Sequence, residues 1–204
     1  LGDVYKRQEL MDAIASLDKV VKYIDLPLQH YNVEILKAMR RPAFDYDELI
    51  KKIRTKIPNV AIRTAFIVGY PGETDEQFNE LYEFVKRSKF DKMGVFEYSR
   101  ERNTASYSML EQVPAKIKKQ RHKKLMTLQQ KISREINEKY VGQTLPCIVE
   151  GYTDEGIVLM RSEHDAPEID GMVYATTDKA VVPGDIENVV IERADEYDLY
   201  GTLN

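Results

Sequence analysis

The sequence has one cysteine and no tryptophan in 204 residues. A lone cysteine, Cys147, excludes an internal disulfide and any metal site built from several cysteines. Its neighbours alternate in polarity as in a strand, so it reads as a buried structural thiol. Long apolar runs are also lacking. No stretch approaches the ~20 residues that cross a bilayer. No segment has the charged, apolar and small-residue layout of a secretory signal. A cytoplasmic protein without a membrane partner is the expectation.

Positive charge is scarce in the last third of the chain. Residues 143–204 hold 3 Lys/Arg against 14 Asp/Glu, a net −11. Residues 1–142 hold 27 against 20, a net +7. So abrupt a change predicts two domains with different partners.

The pattern along the chain gives the organisation. Leu1 to Gln8 fits nothing that follows and reads as a non-native leader. From Glu9 to Val141 strands and helices alternate. Leu10, Ile14 and Leu17 suggest a short helix, and Val20–Leu26 a strand stopped by Pro27. Helices are predicted from about Val33 and again around Leu49, Ile50 and Ile53. Val60–Val68 is a near-continuous apolar run, which suits a parallel strand covered on both sides. Thr74 can cap the next helix, whose inner face is Phe78, Leu81, Tyr82 and Val85. Met93–Tyr98 is a third strand. Helical connections between the strands imply parallel pairing. Pro114 opens a long helix with Ile117, Leu125, Leu128, Ile132 and Ile136 in helical spacing. Lys116, Lys118, Lys119, Arg121, Lys123 and Lys124 crowd its first half and read as a solvated face.

From residue 142 to 204 short alternating segments replace this pattern: Leu145–Tyr152, Gly156–Arg161, Met172–Ala175, Ile186–Glu192 and Leu199–Leu203. Five short antiparallel strands with glycine turns predict a small closed barrel of OB-like type.

Three segments place polar groups where parallel strands end, the usual ligand rim of α/β sheets. The first is Leu26-Pro27-Leu28-Gln29-His30. His30 by itself reads as a structural histidine. The second is Gly69-Tyr70-Pro71-Gly72-Glu73-Thr74. Gly69 allows close backbone approach and Gly72 a tight turn. Glu73 either bonds a ligand or charges the helix start. The third is Phe96-Glu97-Tyr98-Ser99, whose rings either stack on a flat ligand or pack in the core.

Together, in this order, they resemble the second half of a radical S-adenosylmethionine (SAM) barrel. The resemblance is to the methylthiotransferases, through Tyr23–His30, Leu36-Lys37-Ala38-Met39-Arg40-Arg41, and Arg63-Thr64 through Gly72-Glu73-Thr74. It runs from about Glu9 to the end. It implies an α/β fold, the second half of a partial (β/α)6 barrel, followed by a small antiparallel OB-like TRAM barrel. By resemblance Gln29, Arg63, Val68, Gly69 and Phe96 lie around SAM.

The family also uses two 4Fe–4S clusters. Cysteine thiolates hold such clusters, and this sequence lacks the family's C-x-x-x-C-x-x-C loop. No catalytic residue and no metal ligand is therefore assignable, and these 204 residues alone are expected to be inactive.

Two branches of the family differ in substrate. Arg161–Gly171, with Asp165-Ala166-Pro167-Glu168-Ile169-Asp170-Gly171 at its centre, resembles the RimO-type branch, as does Tyr197–Gly201. That branch modifies an aspartate of ribosomal protein S twelve. The resemblance implies that a SAM-derived radical takes hydrogen from the aspartate β-carbon before methylthiolation. Asp165, Glu168 and Asp170 are then candidate substrate contacts. An acidic barrel suits a basic ribosomal protein or the small ribosomal subunit, and opposes direct binding of tRNA phosphates. The tRNA-modifying MiaB-type branch and a non-catalytic binding module are the alternatives. Self-association through an open apolar edge at Val20–Leu26 is also expected.

Overall fold

A computed structural model describes residues 2–203, with side chains from residue 8. Its contacts divide the chain into two compact units: one comprises Ile24–Lys56 and Ile62–Gln129, the other the rest of the described chain.

The first unit is built on a three-stranded sheet, β1 (Tyr23–Asp25), β2 (Ala61–Val68) and β3 (Lys92–Glu97), in that order. The strands β2 and β3 run parallel, with Phe66 opposite Val95 and Ile67 opposite Phe96. Gln29 extends the pairing beyond β1 through a parallel bridge to Phe66. Helix α1 (Gly2–Ser16) runs through the position at which the sequence pattern was divided. It precedes α2 (Val33–Ala38), α3 (Tyr46–Lys56), α4 (Asp75–Ser88) and α5 (Ala115–Asn137).

Local chemistry explains several boundaries. Asn32 caps α2 by accepting from the amides of Glu34 and Ile35. Thr74 and Gln77 form a reciprocal capping box at α4. Lys89 ends α4 in a left-handed conformation.

One face of β2 is fully covered. Ile62, Thr64, Phe66 and Val68 are buried there, with Phe78, Leu81, Phe84 and Val85 of α4 also in the core. Phe66, Phe84 and Phe90 meet edge to face, with centroids 5.6–6.3 Å apart. Arg63, Ala65 and Ile67 on the other face are only half-buried. The expectation of cover on both sides of β2 thus fails among the described residues. An apolar run does not reveal which alternate positions stay open. Strand β1 is shorter than its sequence pattern suggested and forms one edge of the sheet.

The second unit contains a closed five-stranded barrel: β4 (Thr144–Tyr152), β5 (Val158–Ser162), β6 (Val173–Thr176), β7 (Ile186–Ala194) and β8 (Leu199–Leu203). The ring order is β4-β5-β6-β8-β7. Val149, Val158, Met160, Val173, Val189 and Ile191 fill its core. All neighbours are antiparallel except β6 and β8, which are parallel. An odd number of strands cannot close with every neighbour antiparallel, so the expectation of wholly antiparallel pairing required this one exception.

Gly201 lies where β8 crosses closest to β7. A Cβ there would sit 2.0 Å from the Val190 carbonyl oxygen. Gly201→Ala is expected to destabilise the barrel by about 1–3 kcal/mol, as overpacking does. Thermal unfolding monitored by circular dichroism checks this, and an unchanged midpoint contradicts it.

Candidate functional site

The three predicted rim segments are drawn together by backbone hydrogen bonds. The Gln29 amide donates to Ala65, and Ile67 donates back to the Gln29 carbonyl, both at 2.8 Å. Tyr98 donates to the Val68 carbonyl at 2.9 Å. Gly69 turns the chain away from β2 with φ +74°, a conformation costly to a residue with a Cβ.

The side chain that organises this rim is Glu73, whose carboxylate is fully buried. Its Oε2 accepts from the Gly69 amide at 2.8 Å and its Oε1 from Arg121 Nη1 at 2.6 Å. Arg121 also donates to the Glu73 carbonyl and to Asp75 Oδ1. His30, fully buried, lies with Nε2 3.4 Å from Glu73 Oε2. Its Nδ1 accepts from the Asn32 amide at 3.0 Å. The Nε2 nitrogen therefore carries the ring proton and faces the carboxylate. At 3.4 Å this is charge–dipole contact more than a well-formed hydrogen bond. A buried carboxylate without partners is prohibitive, and here every partner comes from a different segment.

Arg121 was read as part of a solvated basic face. The structure corrects this for Arg121, which is buried, and for half-buried Lys118; Lys116, Lys119, Lys123 and Lys124 are exposed. The Lys118 stem packs on Gly69, where a Cβ would lie 2.4 Å from its Cγ. Its ammonium donates to the Tyr98 carbonyl at 2.8 Å. The close approach that Gly69 permits is thus taken by Lys118. A signal for Arg121 was present: it sits midway between Ile117 and Leu125, at i+4 from one and i−4 from the other, on the apolar stripe of α5.

Beside this rim a cavity of about 540 Å³ opens, within the size range of small-molecule sites. Gln29, Ile67, Tyr70, Phe96 and Tyr98 form one wall. Phe96 is 57% exposed, so its ring is available to a ligand. Tyr70 and Tyr98 meet edge to face at 5.2 Å. The Tyr98 hydroxyl is buried without a hydrogen-bond partner among the described residues. The Gln29 side chain likewise makes no hydrogen bond there. An exposed aromatic ring beside an unclaimed side-chain amide can stack on and hydrogen-bond a flat polar ligand.

Of the five residues assigned to SAM, the structure brings Gln29 and Phe96 together in this cavity. Arg63 does not line it and pairs with Asp25 at 2.7 Å. The side chain of Val68 is buried on the opposite, helix-covered face of β2. Gly69 is covered by Lys118, as described above.

In the barrel unit, Asp165 is 8% exposed and its carboxylate accepts from the Ser162 hydroxyl. Asp170 accepts from the Ala166 amide and from the Tyr23 hydroxyl. Both shape the loop from within. Glu168, with φ +66°, is the exposed member of the three.

The lone cysteine lies inside the barrel core. Burial pushes the Cys147 thiol up to about 12, with the nearby Asp165 charge adding to it. Its Sγ donates to the Leu145 carbonyl inside the barrel core. Among the described residues no group of three or more His, Cys, Asp or Glu is arranged to hold a metal ion. None of their helices is long and apolar enough to cross a membrane.

Removing one partner of a buried ion pair costs about 3–5 kcal/mol. Arg121→Met is therefore expected to lower stability by that order, and Arg121→Met with Glu73→Gln by less than the two single changes summed. Denaturant unfolding of the four proteins checks the coupling, and strict additivity contradicts it.

Comparison with known proteins places this geometry in a family. Residues 2–85 match the radical SAM superfamily and residues 141–203 the TRAM domain. A protein of Desulforamulus reducens, named ribosomal protein uS12 methylthiotransferase RimO, is 46% identical over 199 residues. The alignment covers 96% of this chain and 45% of that protein. Proteins of the same name from Caldanaerobacter subterraneus subsp. tengcongensis and Microcystis aeruginosa are 46% and 43% identical. They are matched over 44% and 45% of their lengths, and over 95% and 96% of this chain. The chain thus spans less than half the length of these relatives. With a radical SAM segment, a TRAM segment and 43–46% identity over nearly all of its length, the chain is similar to the matching part of proteins named as RimO methylthiotransferases.

Proposed function

We propose that these residues form the SAM-binding wall and the partner-docking barrel of an enzyme that methylthiolates ribosomal protein S twelve at an aspartate β-carbon. The observation that carries the reading is the cavity that unites Gln29 and Phe96. Gln29 offers a free amide to a base edge and Phe96 a flat surface for the ring. Glu73 and Arg121 keep the rim in shape. SAM bound there supplies a methyl group and, with a cluster, radical chemistry. The 204 residues alone provide no thiolate for that cluster, so by themselves they bind and do not turn over.

The partner reading rests on charge. Residues 143–204 carry a net −11, which favours a basic ribosomal protein and steers its approach. Of the three loop acids Glu168 is the exposed one, and Asp165 and Asp170 make contacts within the loop. The basic helix, the best feature for a tRNA substrate, has committed Lys118 and Arg121 to internal contacts. A ribosomal target implies a cytoplasmic setting.

Titration calorimetry of the chain with SAM and with 5′-methylthioadenosine tests the site. Both are expected to bind, and Gln29→Ala and Phe96→Ala to weaken each about tenfold, a cost of ~1.4 kcal/mol. Wild-type affinity in both variants contradicts the reading. The partner is tested in parallel with ribosomal protein S twelve and tRNA, and tighter binding of tRNA contradicts it.

A further inference from the structure

Met39, Arg40 and Arg41, where α2 ends, line the same cavity as Phe96. Neither guanidinium makes an ion pair or hydrogen bond among the described residues, and both residues are exposed. Four other arginines of this unit are engaged: Arg54 with the Ser88 and Lys89 carbonyls, Arg63 with Asp25, Arg87 with Asp47, and Arg121 with Glu73, while exposed Arg102 does not line the cavity. Two adjacent, permanently charged groups with no internal task border a space of ligand size.

The backbone gives an independent observation. Arg40 has φ +56°, in the left-handed region. The turn there closes α2, with the Met39 amide on the Ile35 carbonyl and the Arg41 amide on the Leu36 carbonyl. Glycine is the residue that such a position favours. Gln29, which lines the same cavity, is also left-handed at φ +72°. Six non-glycine residues among those described have positive φ. Two are asparagines, which tolerate it. The other four carry long polar side chains; Gln29 and Arg40 line this cavity, while Lys89 and Glu168 do not.

The remaining charges narrow the chemistry. Glu97 and Glu101 line the same cavity, and Glu101 accepts from the Ser99 hydroxyl. A phosphate chain would meet these carboxylates as well as the arginines. A peptide with an acidic side chain between basic residues meets both signs favourably. An arginine fork suits a carboxylate in particular, because it can donate two parallel hydrogen bonds.

We propose that Arg40 and Arg41 are the specificity residues that receive the side-chain carboxylate of an acidic residue in a peptide substrate. This rests on the reading of Gln29 and Phe96 as part of the SAM site, since these residues and the two arginines line one cavity.

The test uses the 204-residue chain and a short synthetic peptide with one aspartate between lysines, beside its asparagine twin. Nuclear magnetic resonance titration is expected to show about tenfold tighter binding of the aspartate peptide. Arg40→Gly and Arg41→Gln are each expected to abolish that preference. Arg40→Gly also serves as the folding control, because glycine suits the left-handed position; its unfolding midpoint should equal or exceed that of the unmodified chain. SAM affinity, measured alongside, should stay within twofold in both variants. Equal binding of the two peptides by the unmodified chain overturns the proposal. So does a preference that survives both substitutions, a loss of SAM affinity matching the loss of the aspartate peptide, or arginine-dependent binding confined to an RNA oligonucleotide. An aspartate preference lost in the variants, in a chain that binds no SAM, sustains the arginine assignment and sinks the SAM reading instead.

Discussion

One buried carboxylate holds the rim together. Glu73 sits at the start of α4, but its side chain turns inward and joins the Gly69 amide, the Arg121 guanidinium and the His30 ring. These groups come from the turn after β2, from α5 and from the segment after β1. The charge cannot be buried unless all are near. The constraint therefore acts on three loops at once, and the cavity wall follows from it. Gln29 adjoins His30 in sequence, and Tyr70 lies inside the Gly69–Glu73 turn.

Backbone hydrogen bonds explain why a strained wall persists. Left-handed Gln29 and Arg40 face a common cavity. Gln29 is fixed by two backbone bonds to β2, and Arg40 by the closing turn of α2. Conformations of this kind survive when the surroundings over-determine them. A rim fixed elsewhere can present side chains in geometries that would not form unaided. Recognition then gains from preorganised groups that lose little freedom on binding.

Much of the fold was legible because its signals are local. Thr74 announced the start of α4, Pro114 the start of α5, and alternation the five barrel strands. The rim was legible as three segments ending strands. What sequence did not yield were relations between segments. Glu73 read equally well as a ligand contact or a helix-start charge, because nothing local identifies Arg121 as its partner. Lys118 and Arg121 resembled their exposed neighbours, although Arg121 falls on the apolar stripe. Val68 and Phe96 both end strands, yet the parallel register puts their side chains on opposite faces of the sheet. The loop acids Asp165 and Asp170 looked like surface charge, while in the fold they bond Ser162, Ala166 and Tyr23.

Native-state hydrogen exchange at the Gly69 amide probes the central constraint most directly. This amide ends on a buried carboxylate, not on a strand neighbour. If Glu73 anchors the rim, Gly69 exchanges only through opening of the whole unit, as slowly as the interior amides of β2. Exchange as fast as that of the exposed 99–104 loop, with β2 still protected, would contradict the account.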